Sequence, residues 1–271
     1  MGSLNPNNII DDLKHTHHVL KTYSSKYEQV YFRTNECLSG IFKNIELREK
    51  NVLSVLSSGD QAFHLIKNGA KSVDLFDINK LTIYYFYLRI WTIKYLKFYY
   101  PKNMCNDFIK ELLKYVKPKT DDEKVAYLFW NKFLDSYSEQ DIMYLFMGTT
   151  STNKMQDVRQ LRRKLKKFNF NFYNVDISHK IDIDKKYDLI YVSNINEWLE
   201  KSRNSFLYYR DNLNDLLNVG GMVVCYTLES NRYIGDEREL FNKYFEYRTL
   251  PDFKEDKKHR STTVGYVYIK K

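Results

Sequence analysis

Cysteine is scarce and badly placed for cross-linking. The three cysteines, Cys37, Cys105 and Cys225, are far apart and odd in number. No CxxC pair occurs, which argues against a disulfide framework or a cysteine-based zinc site and fits a reducing, cytoplasmic setting. Proline is scarce too, with four in 271 residues. With 43% hydrophobic residues, this excludes a disordered chain and leaves a globular one with a sizeable core. No window of about 18 apolar residues is present, so no transmembrane helix is expected. The N-terminus is polar and lacks an apolar h-region, so no secretory signal is expected. No internal repeat and no low-complexity linker is visible.

What is present is charge and aromatic surface. The net charge is +9 and there are 24 tyrosines. Such a balance suits nucleic acid, anionic lipid or an acidic substrate. Lysine-rich solvated faces account for it more simply, since no basic-aromatic binding motif accompanies the charge. His15, His17 and His18 lie close together. On a helix, i and i+2 point apart, so no metal site is expected from them.

The chain is organised around NVLSVLSSGDQAFHLIKNGAKSVDLFDIN, residues 51–79. Val52 to Leu56 is a short apolar run, as a buried parallel strand would be. Ser57, Ser58, Gly59 and Asp60 form a small-residue turn, and Asp60 is placed to cap the helix that follows. Ala62, Phe63, Leu65 and Ile66 give that helix an apolar stripe, and Asn68-Gly69 ends it. Ser72 to Phe76 is a second strand, with Asp77 at its end. In nucleoside sites the first turn lets backbone approach the ligand, and an acid about 20 residues later holds the ribose hydroxyls. Here Asp77 follows Gly59 by 18 residues.

The rest of the chain alternates around this unit. Residues 1–50 read as a polar helical segment, with helices over 8–23 and 38–46 and a polar-aromatic stretch, YFRTNE, between them. Residues 80–100 read as one long aromatic helix, broken in polarity by Arg89, Lys94 and Lys97 and stopped by Pro101. Residues 102–167 form a helical insertion with helices over 106–116, 121–137, 140–147 and 154–167, and no strand is expected in it. It is too long for a single crossover, so a cap over the strand ends is expected. Its last helix ends in RRKLKK, either a solvated helix end or a contact for an anionic substrate. Strands resume over 170–175 and 187–192. A helix follows over 204–217, a turn at 218–221, a strand over 222–228 and a helix over 236–244. Strands over 245–250 and 262–269 close the chain. The expected fold is α/β: a doubly wound, mostly parallel sheet built by residues 51–101 and 168–271.

In an open parallel sheet, ligands bind at the carboxyl ends of the strands. Those ends are Ser57 to Asp60, Asp77-Ile78-Asn79, Asp176-Ile177-Ser178 and Ser193-Asn194. Small-residue turns and Asp caps are common singly; four in register point to a site.

This layout resembles the class I S-adenosylmethionine-dependent transferases, with their seven-stranded, Rossmann-like methyltransferase sheet. The VGG turn before MVVCYTL looks like the turn into that family's fifth strand, and FEYRTL with TTVGYVYI looks like its closing antiparallel pair. Ser57 and Gln61 stand where that family usually has glycines. The loop SSGD with DIN after the second strand looks more like a narrower group, the 3-amino-3-carboxypropyl transferases of betaine-lipid synthesis and their relatives. Glu197-Trp198 would match that group's acid-Trp pair.

The resemblance implies an enzyme that uses S-adenosylmethionine to move its methyl group or its aminocarboxypropyl arm to a small molecule or lipid headgroup. Asp77 would accept from both ribose hydroxyls, with Ile78 and Asn79 beside it. Asp176 would take the adenine amino group and Ile177 would pack on the ring. Ser57, Ser58, Gly59 and Asp60 would line the methionine part, with Asp60 either pairing with its ammonium or capping the helix. Arg33 would pair with its carboxylate. Ser193, Asn194 and Glu197 would face the transferred group. Glu197 is either a base for the nucleophile or an exposed helix-start carboxylate. Two other readings stay open: a nucleic-acid-binding or -modifying protein using residues 159–167, and a scaffold of the same fold without turnover. Peripheral membrane contact stays open as well.

Overall fold

Val52 to Leu56 is buried throughout, and Asn51–Val55 forms the first strand of the main sheet, β1. The structure is a computed structural model that describes residues 4–22, 30, 31, 34, 36–96, 105–139, 141, 145–147, 158–197, 199, 203–227, 234–250 and 264–271. After β1 come β2 (Ser72–Asp77), β3 (Phe172–Asn174), β4 (Tyr187–Ser193), β5 (Leu217–Thr227), β6 (Phe245–Thr249) and β7 (Val264–Lys270). They form one seven-stranded sheet in the order β3-β2-β1-β4-β5-β7-β6.

Parallel pairing joins β1 to β2 and β4, and β4 to β5; β7 runs antiparallel to both β5 and β6. Val52 sits opposite Val73 in β2 and Leu189 in β4. Successive residues Val52 to Val55 of β1 and Leu189 to Ser193 of β4 are all buried, so both faces of these strands are covered, as in parallel strands flanked by helices. The strand order reverses between β1 and β4, which makes the sheet doubly wound with its switch point there. The expected α/β class and the antiparallel closing pair are therefore both present.

The described helices include α1 (Ile9–Thr22), α2 (Asp60–Lys67), α3 (Leu81–Trp91), α4 (Asn106–Tyr115), α5 (Asp121–Ser136), α6 (Val158–Leu165), α7 (Arg203–Leu216) and α8 (Ile234–Phe241). The chain divides into two compact units. One comprises Met1–Asn35, Leu56–Lys67 and Asp77–Asn174; the other comprises Glu36–Val55, Asn68–Phe76 and Val175–Lys271.

In the first unit every residue of α3 is buried, which is why the sequence there shows no polar stripe. Tyr84 of α3 stacks on Phe129 of α5 with centroids 3.8 Å apart, and Trp130 Nε1 donates to the Tyr84 carbonyl at 2.9 Å. A capping box between Thr120 and Glu123 starts α5. The N-terminal segment is tied to the insertion and to α3: Leu4 N donates to Asp122, Tyr137 Oη to the Leu13 carbonyl, and Lys80 Nζ to Asp12. After Trp91 the helix widens into a π-turn over Thr92–Leu96; Pro101, its expected stop, lies outside the described residues.

Four expectations are corrected locally. The insertion does contain a strand: Phe146–Met147 pairs in parallel with Val30–Tyr31. Two residues carry no period, and only the partner makes them a strand. The helix expected over 38–46 is a single turn, Leu38–Ile41, after which 3₁₀-type bonds such as Ile45 N to the Phe42 carbonyl take over. Gly40 weakens the helix there. The helix expected over 140–147 gives way to the strand at its end, and residues 140 and 142–144 lie outside the described set. The expected turn at 218–221 is a bulge inside β5: Leu217 pairs with Tyr187 and Met222 with Leu189, while Gly220 takes φ +74°.

In the second unit the sheet is braced at Asp74, a buried acid on β2 that accepts from Tyr187 Oη at 2.8 Å and from Lys185 Nζ at 2.6 Å. Phe241 of α8 packs on Tyr268 of β7, centroids 4.5 Å apart.

Candidate functional site

The site begins with the turn after β1. Ser57 has φ +47° and Gly59 φ +82°. Gly59 is required twice over, by its left-handed backbone and because a Cβ there would lie 2.5 Å from the Phe86 ring. Ser57 holds the same region at a cost, since L-residues with a Cβ enter it reluctantly. Its amide donates to Asp77 Oδ2 at 2.9 Å, while the Asn79 amide donates to Asp77 Oδ1, also at 2.9 Å. Asn174 Nδ2 donates to the carbonyls of Asp77 and Ile78 at 2.9 Å each.

Asp77 is thus held rigidly at the carboxyl end of β2. Burial pushes its carboxyl up to about 6, against the downward pull of the Asn79 and Ser57 amides and the Thr82 hydroxyl. Next to it Ile78 is 61% exposed, an apolar side chain facing solvent. Asn79 Oδ1 accepts from the Leu81 amide at 3.0 Å and so starts α3.

Asp60 does something the sequence does not announce. It is buried, and Oδ1 pairs with Arg89 Nη2 at 2.9 Å. Its Oδ2 accepts from Ser58 Oγ at 2.9 Å and from the Thr34 amide at 2.8 Å. Ser58 Oγ in turn accepts from the Asp60 amide at 3.4 Å. The Asp60 charge is matched by Arg89. Reading Arg89 as a break in an apolar helix missed this. The available signal is a lone arginine within an apolar run, which must find a buried anion.

In the second unit the residues after β4 form a chain of contacts. Ser193 has φ +56°, and its Oγ donates to Glu36 Oε1. Tyr191 Oη donates to Glu36 Oε2 at 2.7 Å. Burial, reinforced by the Glu36 charge, pushes the Tyr191 phenol well above its usual value. Ser193 Oγ also lies 3.1 Å from Asn194 Oδ1, and Asn194 Nδ2 donates to Glu197 Oε2 at 3.0 Å. The structure thus brings Ser193, Asn194 and Glu197 together. It adds Glu36, a buried carboxylate in the aperiodic YFRTNE stretch, where no local pattern marks it. Arg33 and Trp198 lie outside the described residues.

Asp176 closes on its own turn: Oδ1 accepts from the Ser178 amide at 2.9 Å and hydroxyl at 2.7 Å, and Oδ2 lies 3.0 Å from His179 Nδ1. Ile177 is 3% exposed and belongs to the core of its unit, with its carbonyl accepting from Asn212 Nδ2 at 2.8 Å.

On α6, Leu161 and Leu165 are buried, while Arg159, Arg163, Lys166 and Lys167 in and just after it are exposed. Lys164 Nζ donates to the carbonyls of Ile66 and Lys67 at 3.1 and 3.0 Å, the C-terminal end of α2, where a cation suits the helix dipole. Among the described residues no group of three or more His, Cys, Asp or Glu side chains is placed to hold a metal, and no helix is long and apolar enough to cross a membrane.

No family model matches the chain, and no curated protein matches it by sequence. Solved structures do match in layout. A TehB-like S-adenosylmethionine-dependent methyltransferase from Corynebacterium glutamicum is 12% identical with a TM-score of 0.46, over 98% of this chain and 100% of that one. The N-methyltransferase NodS from Bradyrhizobium japonicum, in complex with S-adenosyl-L-homocysteine, is 9% identical with a TM-score of 0.45, over 96% and 98%. The glycopeptide N-methyltransferase MtfA, complexed with the same nucleoside, is 10% identical with a TM-score of 0.48, over 94% and 97%. At these identities the similarity concerns the arrangement of strands and helices alone.

Proposed function

We propose that the chain is an S-adenosylmethionine-dependent transferase in which Asp77 holds the ribose of the cofactor. The observation that supports this reading is the Asp77 carboxylate, set at the end of β2 by the amides of Ser57 and Asn79. Its oxygens accept the amides of Ser57 and Asn79, and a carboxylate oxygen can accept more than one hydrogen bond, so the acceptor set fits the hydroxyls of a vicinal diol. The exposed Ile78 beside it offers an apolar face for a purine. Ser57, Ser58 and Gly59 bring backbone close to the ligand. The cofactor supplies a sulfonium whose attached carbons are already activated, so the protein's task is alignment of a nucleophile. In the other unit Asn194 and Glu197 are hydrogen-bonded to each other, and Glu197 is proposed as a general base.

The acceptor is proposed to be a small molecule or lipid headgroup, and the group moved either methyl or the aminocarboxypropyl arm. Incubation with S-adenosylmethionine and identification of the sulfur by-product tests both points. S-adenosylhomocysteine means methyl transfer and methylthioadenosine means arm transfer. Absence of calorimetric binding of any adenosine-containing ligand at millimolar concentration would end the reading.

A second reading has its own observation, the exposed cations in and just after α6. They suit a polyanion such as nucleic acid. Salt-dependent retention on a polyanion column, lost when Arg159, Arg163, Lys166 and Lys167 are replaced by glutamine, would favour it.

A further inference from the structure

A nucleotide-binding turn usually owes its shape to several glycines; this one has a single glycine, Gly59, between Ser57 and Gln61. We infer that the buried Arg89–Asp60 pair takes over that work: it shapes the turn from Ser57 to Asp60 and docks residue 34 on it, so Arg89 is a positioning residue for the cofactor turn. The inference rests on the proposed function for the identity of the ligand, and on geometry for everything else.

The side chains of Arg89 and Asp60 are 0% and 3% exposed. Arg89 divides its fork between two acceptors: Nη2 goes to Asp60 Oδ1 at 2.9 Å and Nη1 to the Ser58 carbonyl at 2.7 Å. Asp60 returns to the same residue, since its Oδ2 accepts from Ser58 Oγ at 2.9 Å. Ser58 is therefore gripped at its carbonyl and at its hydroxyl by the two members of one ion pair. The guanidinium lies 5.0 Å from the Phe63 ring centroid and 5.9 Å from that of Tyr85, which fixes its plane. Phe86, three residues before Arg89 on α3, closes on the Cβ-less face of Gly59. One helix thus presses the turn at its glycine and holds it at its serine.

The second Asp60 contact extends the arrangement. The Thr34 amide donates to Oδ2 at 2.8 Å, and Gln61 Nε2 donates to Thr34 Oγ1 at 3.3 Å. Asp60 and Gln61, adjacent residues at the start of α2, both engage Thr34. A buried ion pair is a poor source of net stability compared with apolar residues of the same volume. What it supplies is direction. Lysine keeps the charge but has no planar fork to serve two acceptors at fixed angles.

The test uses the full chain with Arg89→Lys, Arg89→Met and Asp60→Asn, each at a temperature where thermal unfolding shows it folded. Amide hydrogen exchange is followed in residues 56–63, at Thr34, and in β5 and β7 as an internal control. S-adenosylhomocysteine affinity is measured by calorimetry. The expected result for Arg89→Lys and Asp60→Asn is exchange at least tenfold faster over 56–63 and at Thr34, unchanged exchange in β5 and β7, and affinity at least tenfold weaker. Arg89→Met is expected to be the most severe; if it does not fold, the two conservative variants decide. Unchanged exchange over 56–63 in the folded conservative variants overturns the inference. So does a uniform rise across the chain, which would make the pair a general core contact. If the wild-type protein binds no S-adenosylhomocysteine, the transferase reading fails, while the exchange data still judge the role of Arg89.

Discussion

The amide of Ser57 donates to the carboxylate of Asp77 at 2.9 Å, joining the turn after β1 to the end of β2. Ser57 can do so because its backbone sits in the left-handed region, at φ +47°. The turn and the acid are thereby one object. Ligand contacts proposed for either depend on the other.

Asp77→Ala removes the acceptor for the amides of Ser57 and Asn79 and, on the proposed function, for two ribose hydroxyls. Hydrogen bonds to a charged group contribute about 1.5–3 kcal/mol each. Affinity for S-adenosylhomocysteine should fall by about 3 kcal/mol, roughly a hundredfold. Titration calorimetry on the folded variant measures it; unchanged affinity would place the ribose elsewhere.

The same carboxyl gives binding a pH dependence. Asp77 titrates near 6 in the folded protein, raised from 3.8 by burial. On the proposed function, binding uses the carboxylate, so affinity should be flat well above pH 6 and weaken as pH falls through 6. The free protein runs the opposite way. A raised pKa favours the protonated form in the fold, so this group's contribution to stability is largest below 3.8 and is lost as pH rises through 6. Calorimetry and thermal unfolding between pH 5 and 8 should show opposed trends (test pH values chosen around that titration), and Asp77→Asn should flatten both.

Gly59→Ala should be costly. The left-handed backbone at φ +82° costs a residue with a Cβ about 1–2 kcal/mol. The added methyl would meet the Phe86 ring at 2.5 Å, and overpacking adds about 1–3 kcal/mol. Chemical denaturation should show a loss of about 2–5 kcal/mol. A loss under about 0.5 kcal/mol, the size of an ordinary surface substitution, would mean the turn is not built this way.

Glu36→Gln replaces an acceptor-only carboxylate with an amide, which brings a donor to face the hydroxyl of Ser193 or Tyr191. Leaving a buried hydroxyl unmatched costs about 1–3 kcal/mol. Ser193→Gly loses one hydrogen bond but relieves the strained φ of +56°, so it should cost less. Denaturant unfolding of both variants decides; a greater loss for Ser193→Gly would show that Glu36 does not anchor this turn.

The sequence by itself determined the layers and the acid. Apolar runs such as Val52 to Leu56 have one stable fate in a chain of alternating strands and helices, a buried parallel strand. A carboxylate just past the second run therefore had to stand at a strand end, and Asp77 does. What only the tertiary structure decided is how polar groups inside are matched. Asp60 and Arg89 are 29 residues apart, and Glu36 and Ser193 157 apart. Local periodicity records which residues are buried, but not which distant donor meets which acceptor. The parallel pairing of Val30–Tyr31 with Phe146–Met147 belongs to the same class, since two residues become a strand only when the fold delivers their partner.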